Sequence, residues 1–175
     1  MRTVHSARVK GPRIAFVGRH NSGKTTLLRA VLPLLVRRGL RVGYLKHAHE
    51  GFEIDHPTKD SYQIRRTGVI QTILTGGGQT AVIDDDGADA GFEAVVARYV
   101  RDDLDLLVLE GFKAEPLPKI EVARAALSTE LVCLNDRNLV ATVTDFPVRP
   151  DVMHFGLGDA EAIAAFILSR IGAGG

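Results

Sequence analysis

Apolar positions along the chain fall into two patterns, short unbroken runs and longer stretches with helical spacing. Residues 13–17 (Arg-Ile-Ala-Phe-Val) lie between Gly11-Pro12 and Gly18 and are rich in β-formers. That pattern predicts a parallel strand buried on both faces. From Lys24 the period changes. Leu28, Val31, Leu32, Leu35 and Val36 recur at helical spacing, Arg29, Arg37 and Arg38 fall off that stripe, and Gly39 supplies a stop. Pro33 has no N–H to donate, so an irregularity is expected there rather than a full break. Residues 41–46 read as a second strand and complete a β-loop-α-β unit with a right-handed connection.

The segment 47–60 has neither period and leads into a short helix at 61–67, which Gly68 closes. Strands at 69–74 and 80–83 flank Gly76-Gly77-Gly78 and form a hairpin beside the main sheet, with a solvated acidic turn at 84–87. A helix is expected at 92–100. Residues 104–109 form a buried strand with Glu110 at its carboxyl end, followed by strands at 119–123 and 139–143. Ile163, Phe166, Ile167 and Ile171 make one stripe on a last helix with Asp159 as candidate N-cap. The pattern predicts an α/β fold: a doubly wound, mostly parallel sheet with a small β-hairpin excursion. One domain spans 1–175, with 1–11 and 172–175 as flexible ends.

The turn between the first strand and the first helix carries the chemistry. Gly-Arg-His-Asn-Ser-Gly-Lys-Thr at 18–25 fits G-x-x-x-x-G-K-[ST], in which glycines let the backbone curl until successive N–H groups point at phosphate oxygens. The helix that opens at Lys24 adds its N-terminal dipole. Gly18, Asn21, Ser22, Gly23, Lys24, Thr25 and Thr26 are therefore candidate ligands of a nucleoside triphosphate. Lys24 reaches the β- and γ-phosphates, the Thr25 hydroxyl is placed for Mg²⁺, and Thr26 contacts the α-phosphate. The motif follows a predicted strand and opens a predicted helix, the context it requires. The sheet expected is thus of the P-loop NTPase type.

Glu110 stands where a Walker B acid holds Mg²⁺ through water or polarises the attacking water, which makes it the candidate catalytic residue. Asp105 is an alternative acid that needs its own partner if buried. Asp55 is either a second Mg²⁺-side carboxylate or a plain loop acid, and Asp60 is a candidate helix cap. Lys46 and His47, at a strand's end, suit a ligand better than the core. His47, His49 and His56 share a loop with Glu50 and Asp55, which permits transition-metal ligation, but contact with phosphate or a partner is the stronger reading. No Asn-Lys-x-Asp sequence encodes guanine selectivity. Asp145, after the 139–143 strand, is either an acceptor for guanine N1 and N2 protons or a turn acid.

Composition narrows the setting. With 22 basic and 21 acidic residues the formal charge is +1, so there is no general field for nucleic acid or an anionic membrane, and any anion site is local. A single cysteine, Cys133, excludes an intramolecular disulfide and a cysteine-based zinc site and is read as a small core residue. No apolar run approaches the roughly 20 residues needed to span a bilayer, and a cytoplasmic location is expected.

Four segments together resemble one family, the molybdopterin-guanine dinucleotide biosynthesis adaptors (MobB). They are Ser-Gly-Lys-Thr-Thr at 22–26, Tyr-Leu-Lys-His at 44–47, Asp-His-Pro-Thr-Lys-Asp-Ser-Tyr at 55–62, and Leu-Glu-Gly-Phe-Lys at 109–113 followed by Pro-Lys-Ile at 118–120. The resemblance implies a GTP- and Mg²⁺-binding, weakly hydrolysing homodimer that works in the cytoplasm beside the guanylyltransferase joining GMP to molybdenum cofactor. It implies that Gly23, Lys24, Thr25 and Thr26 hold phosphate and Mg²⁺ and that Glu110 takes the Walker B role. Lys46, His47 and residues 55–61 line the same crevice, contacting phosphate or the partner's molybdopterin substrate. The stretch 49–52 departs from the family pattern. A small-molecule kinase is the alternative, with Arg65 and Arg66 as lid arginines but no lid domain. A nickel metallochaperone would need a Cys/His entry motif that one cysteine does not supply.

Overall fold

The computed structural model describes residues 11–48, 51–85 and 91–172. The chain divides into two compact units, Met1–His47 with Val95–Gly175, and Ala48–Ala94.

The larger unit is built on β1 (Arg13–Val17), an almost wholly buried strand. It lies between β5 (Leu106–Glu110) and β6 (Lys119–Val122), with β2 (Val42–Lys46) outside β5 and β7 (Leu139–Val143) and β8 (His154–Phe155) beyond β6. All six strands are parallel. Their carboxyl ends therefore share one edge, where ligands of open α/β sheets bind. One face carries Ile14, Phe16, Leu106, Val108, Ile120, Val122, Ala141 and Val143. Against it pack α1 (Lys24–Arg37) and α4 (Ala160–Gly172) through Leu27, Leu28, Val31, Leu34, Leu35, Ile163, Ala164 and Ile167. Each such side chain contributes about 1.5–3 kcal/mol on burial.

α1 runs unbroken through Pro33. The carbonyl one turn earlier is at Arg29, an exposed position, so the missing donor leaves no buried acceptor unpaired. The buried stripe is rotated from the expected one: Leu27 and Leu34 are inside, whereas Val36 is 55% exposed. α1 fills the angle between the sheet and α4, so its apolar face widens toward positions i, i+4 and i+7 from Leu27.

The opposite sheet face has a polar strip. Lys119 and Glu121 alternate with Ile120 and Val122 and are almost fully buried. The segments on either side of β6 satisfy them: Glu121 accepts the Val132 and Cys133 N–H groups at 2.6 and 2.8 Å, and Lys119 donates to Asp136 and to the Glu115 carbonyl. Cys133 is buried.

In the smaller unit, α2 (Asp60–Arg65) precedes an antiparallel hairpin of β3 (Gln71–Gly76) and β4 (Gln79–Asp84). Gly77 and Gly78 form its two-residue turn, both with positive φ, as a type I′ turn requires. Asp60 lies inside the first turn of α2, and Lys59 takes the cap position. Arg65 pairs with Asp85 at 2.6 Å. The remaining helix, α3 (Phe92–Tyr99), begins at the end of this unit.

β8 has no counterpart in the sequence reading, because two residues carry no period. Asp159 precedes α4, but its side chain accepts the Gly156 N–H at 2.7 Å instead of capping forward. The flexible ends expected at 1–11 and 172–175 fall largely outside the described residues, as do part of the 84–87 turn, His49 and Glu50. No helix among the described residues is long and apolar enough to cross a membrane.

Candidate functional site

The segment joining β1 to α1 curls tightly. Gly18, Asn21 and Gly23 all have positive φ (137°, 59° and 97°). A methyl group on Gly18 would come within 2.2 Å of the Val122 carbonyl oxygen of the neighbouring strand. Only glycine fits there, which fixes the loop against the carboxyl edge of the sheet. α1 begins with no side-chain cap and no acid in its first turn. Its leading N–H groups and the positive end of its dipole are thus left for an external anion. Ser22 is 1% exposed, and its hydroxyl has no hydrogen-bond partner, an orphaned donor in the middle of the curl. The Lys24 ammonium donates to the Gly18 and Arg19 carbonyls at 3.1 and 2.7 Å. Burial lowers the Lys24 pKa, the charge of Glu110 opposes this, and Lys46 adds to it.

Glu110 ends β5 one strand away, in register with Phe16 of β1 and Lys46 of β2. Its carboxylate collects three donors: the Thr25 hydroxyl at 2.8 Å, the Tyr44 hydroxyl at 2.6 Å and the Lys46 ammonium at 3.4 Å. Burial pushes its pKa up, but the two hydroxyls and Lys46 outweigh this and hold it below the usual carboxylate range. Burial and the Glu110 contact raise the Tyr44 pKa, so this phenol stays a donor. A buried carboxylate joined to the hydroxyl of the G-K-T threonine has the hard oxygen chemistry that suits Mg²⁺. With the uncapped helix and the unpartnered Ser22 hydroxyl, these residues fit a magnesium-bound phosphate ligand.

The chain turns sharply after Glu110. Gly111 (φ 93°) and Phe112 (φ 58°) are both left-handed, and the Phe112 ring lies 5.4 Å from the His47 ring. A bulky residue at positive φ is strained and persists only where its surroundings hold it. Here the ring pair and the His47 N–H, which donates to the Glu110 carbonyl at 3.1 Å, supply the hold.

The remaining expected site residues lie as follows. Asp145 follows β7 and accepts the Ala125 N–H at 2.7 Å. Asp55 belongs to the smaller unit, where one oxygen accepts the His56 N–H and the other is buried without a hydrogen-bond partner. The His56 ring bonds the Thr58 hydroxyl at 2.8 Å. Asp105 is at the amino end of β5, the edge away from the loop, and accepts the Arg41 N–H, which accounts for it as a structural clamp. The histidine cluster suggested by His49 and Glu50 lies partly outside the described residues. Among those described, no group of three or more His, Cys, Asp or Glu is placed to hold a metal ion.

Two side chains at this edge escaped the reading of the sequence as ligands. Tyr44 was visible only within the 44–47 segment, and its alternation in β2 gives no sign that its hydroxyl reaches Glu110. Arg124 lies two residues past β6, and its guanidinium covers Gly23. Nothing in the sequence distinguishes it from other loop arginines.

Comparison with known proteins adds to this geometry. A family model described as molybdopterin guanine dinucleotide synthesis protein B (MobB) matches residues 13–145. The chain is 35% identical over 162 residues to the molybdopterin-guanine dinucleotide biosynthesis adapter protein of Escherichia coli, covering 90% of this chain and 91% of that one. It is 31% identical over 156 residues to the protein of the same name from Haemophilus influenzae, covering 89% and 87%. The fold matches a crystal structure of molybdopterin-guanine biosynthesis protein B with a TM-score of 0.71 and 28% identity, covering 91% of this chain and 98% of that one.

Proposed function

Because the chain belongs to the molybdopterin guanine dinucleotide synthesis protein B (MobB) family, we propose that it is a GTP-binding adapter in molybdopterin guanine dinucleotide biosynthesis. The observation that carries the nucleotide part is the 2.8 Å bond from Thr25 to Glu110 beneath an uncapped helix N-terminus. Gly18, Asn21, Ser22, Gly23 and Thr26 receive the phosphates with backbone and hydroxyl donors. Lys24 exchanges its two loop carbonyls for phosphate oxygens. Thr25 and Glu110 would hold Mg²⁺, which when bound neutralises charge on the phosphate oxygens.

Glu110 also orients the attacking water. Its depressed pKa makes it a weak base, which supports slow hydrolysis and a sensing rather than a metabolic role. Lys46 and His47 border the γ-phosphate side, and Asp145 accepts from guanine at the end of β7. The partner is the guanylyltransferase that uses GTP and molybdopterin. The adapter works as a cytoplasmic homodimer, a reading supported by the exposed Ile73–Val82 pair on the hairpin.

Titration calorimetry with Mg²⁺ tests the site. GTP is expected to bind more tightly than ATP, and Lys24→Ala is expected to reduce GTP affinity at least about tenfold, the loss of a charge-assisted contact. Undiminished binding by Lys24→Ala removes the phosphate-loop assignment. Retention of the guanylyltransferase from extract by the tagged chain tests the adapter role, and its absence from the retained fraction removes it.

A further inference from the structure

We propose that Arg124 is a phosphate-binding residue of the 18–25 loop, a second cation that holds the α- and β-phosphates of a bound nucleotide at Gly23. The inference rests on the reading of that loop as a nucleotide site.

β6 runs parallel to β1 in a register that pairs Val17 with Glu121, so the chain leaving β6 emerges beside the loop leaving β1. The backbone at Arg124 is then pinned. The Ala125 N–H donates to Asp145 at 2.7 Å, and the Arg124 carbonyl accepts the N–H groups of Leu127 and Ser128 at 2.9 and 3.0 Å. From this fixed turn the side chain reaches Gly23. A methyl group placed there would lie 3.0 Å from Nε, 3.1 Å from one terminal nitrogen and 3.3 Å from Cζ.

Among the described residues, no carboxylate pairs with the guanidinium. Its Nε is buried and has no hydrogen-bond partner. Among the described residues, Arg19, Arg38, Arg41, Arg65, Arg101 and Arg149 each pair with a carboxylate. Arg124 differs from them in having a buried, unpartnered Nε, and it lies against Gly23, next to Ser22 with its unpartnered hydroxyl and at the uncapped start of α1. A buried guanidinium N–H without an acceptor is costly, and its planar fork matches phosphate oxygens. The unpartnered Ser22 hydroxyl, the uncapped start of α1 and the unpartnered Arg124 Nε thus all lie along the one 18–25 loop. The assignment to the α- and β-phosphates follows from position along the loop. Lys24 holds the carbonyls at its start and serves the β/γ end, whereas Arg124 lies at the glycine opening the helix, where the backbone cradles the α/β end.

Calorimetry with GTP-Mg²⁺ and GDP-Mg²⁺ on the intact chain, Arg124→Ala and Arg124→Lys tests the inference. Arg124→Ala is expected to weaken both nucleotides to the same extent, by about tenfold or more, and Arg124→Lys to recover part of the loss because it keeps the charge without the fork. Melting curves without nucleotide check folding, and if Arg124→Ala does not fold, Arg124→Lys carries the comparison through its equal loss for GDP and GTP. Affinities within twofold of the unsubstituted chain, which would mean that water alone serves the guanidinium, overturn the proposal, and so does a loss confined to GTP. If the unsubstituted chain binds neither nucleotide, the nucleotide reading itself falls and takes this inference with it. If the unsubstituted chain binds and Arg124→Ala binds equally well, only the inference falls.

Discussion

Three donors on one buried carboxylate make Glu110 the residue on which the site's electrostatics turn. Its folded pKa is depressed, so its charged form stabilises the native state above the ordinary value of 4.5, and that contribution is lost as pH falls through the folded pKa. Glu110→Gln has no such dependence. The gap in melting temperature between the unsubstituted chain and Glu110→Gln is therefore expected to narrow as pH drops below 4.5, and a gap that stays constant would show that the three donors do not hold the charge. The same substitution is expected to leave GTP binding largely intact and suppress turnover, read by phosphate release. Gly18→Ala faces a 2.2 Å approach to the Val122 carbonyl as well as an unfavourable φ. It is expected to lower stability by about 1–3 kcal/mol in urea unfolding, the range of backbone strain of this kind. The role of Gly18 was legible from the motif, because the chemistry demands that residue at that spacing. Tyr44 and Arg124 were not, because a side chain's reach across neighbouring strands depends on register, which no local pattern encodes.

At the scale of elements, continuous apolar runs marked β1 and β5 correctly because both faces of those strands are buried, and the 3.6 period marked α1 and α4. The rotation of the α1 stripe was hidden, since seven of the ten residues at 27–36 are leucine or valine and several stripes fit equally well. Leu27, buried but off the expected stripe, tests which face is real: Leu27→Ala is expected to cost about 2–5 kcal/mol, against little for the exposed Val36→Ala, by chemical denaturation. The acidic N-cap expected at Asp159 failed for a local reason. An aspartate can bond either the turn before it or the helix after it, and here the Gly156 N–H takes the oxygen. The hairpin was visible from its glycines, whose consecutive positive φ values are what a two-residue turn demands.

At the scale of the whole molecule, the family and the parallel sheet agree with what the four sequence segments implied. The division of the chain at 48 and 94 was not legible, because the glycines and charges of 47–60 read equally well as an active-site loop. The smaller unit exposes Ile70 at 71%, Ile73 at 58% and Val82 at 40%, more apolar surface than a solvated hairpin needs. Sedimentation is expected to find a dimer that Ile70→Asp with Ile73→Asp converts to monomer while the phosphate loop keeps its nucleotide. A dimer unaffected by both changes would place the interface elsewhere. The sheet order carries a further consequence. β1 is the third strand in space but the first in the chain, and both its neighbours come after residue 105. During synthesis at about 5–20 residues per second, the loop therefore leaves the ribosome roughly 5–20 s before the strands that flank it exist. Until then the curl has no Val122 carbonyl to rest against and Thr25 no Glu110 to meet. The pocket is accordingly completed late in the life of the chain, and a fragment stopped short of β6 emerges with its motif intact and its pocket unmade.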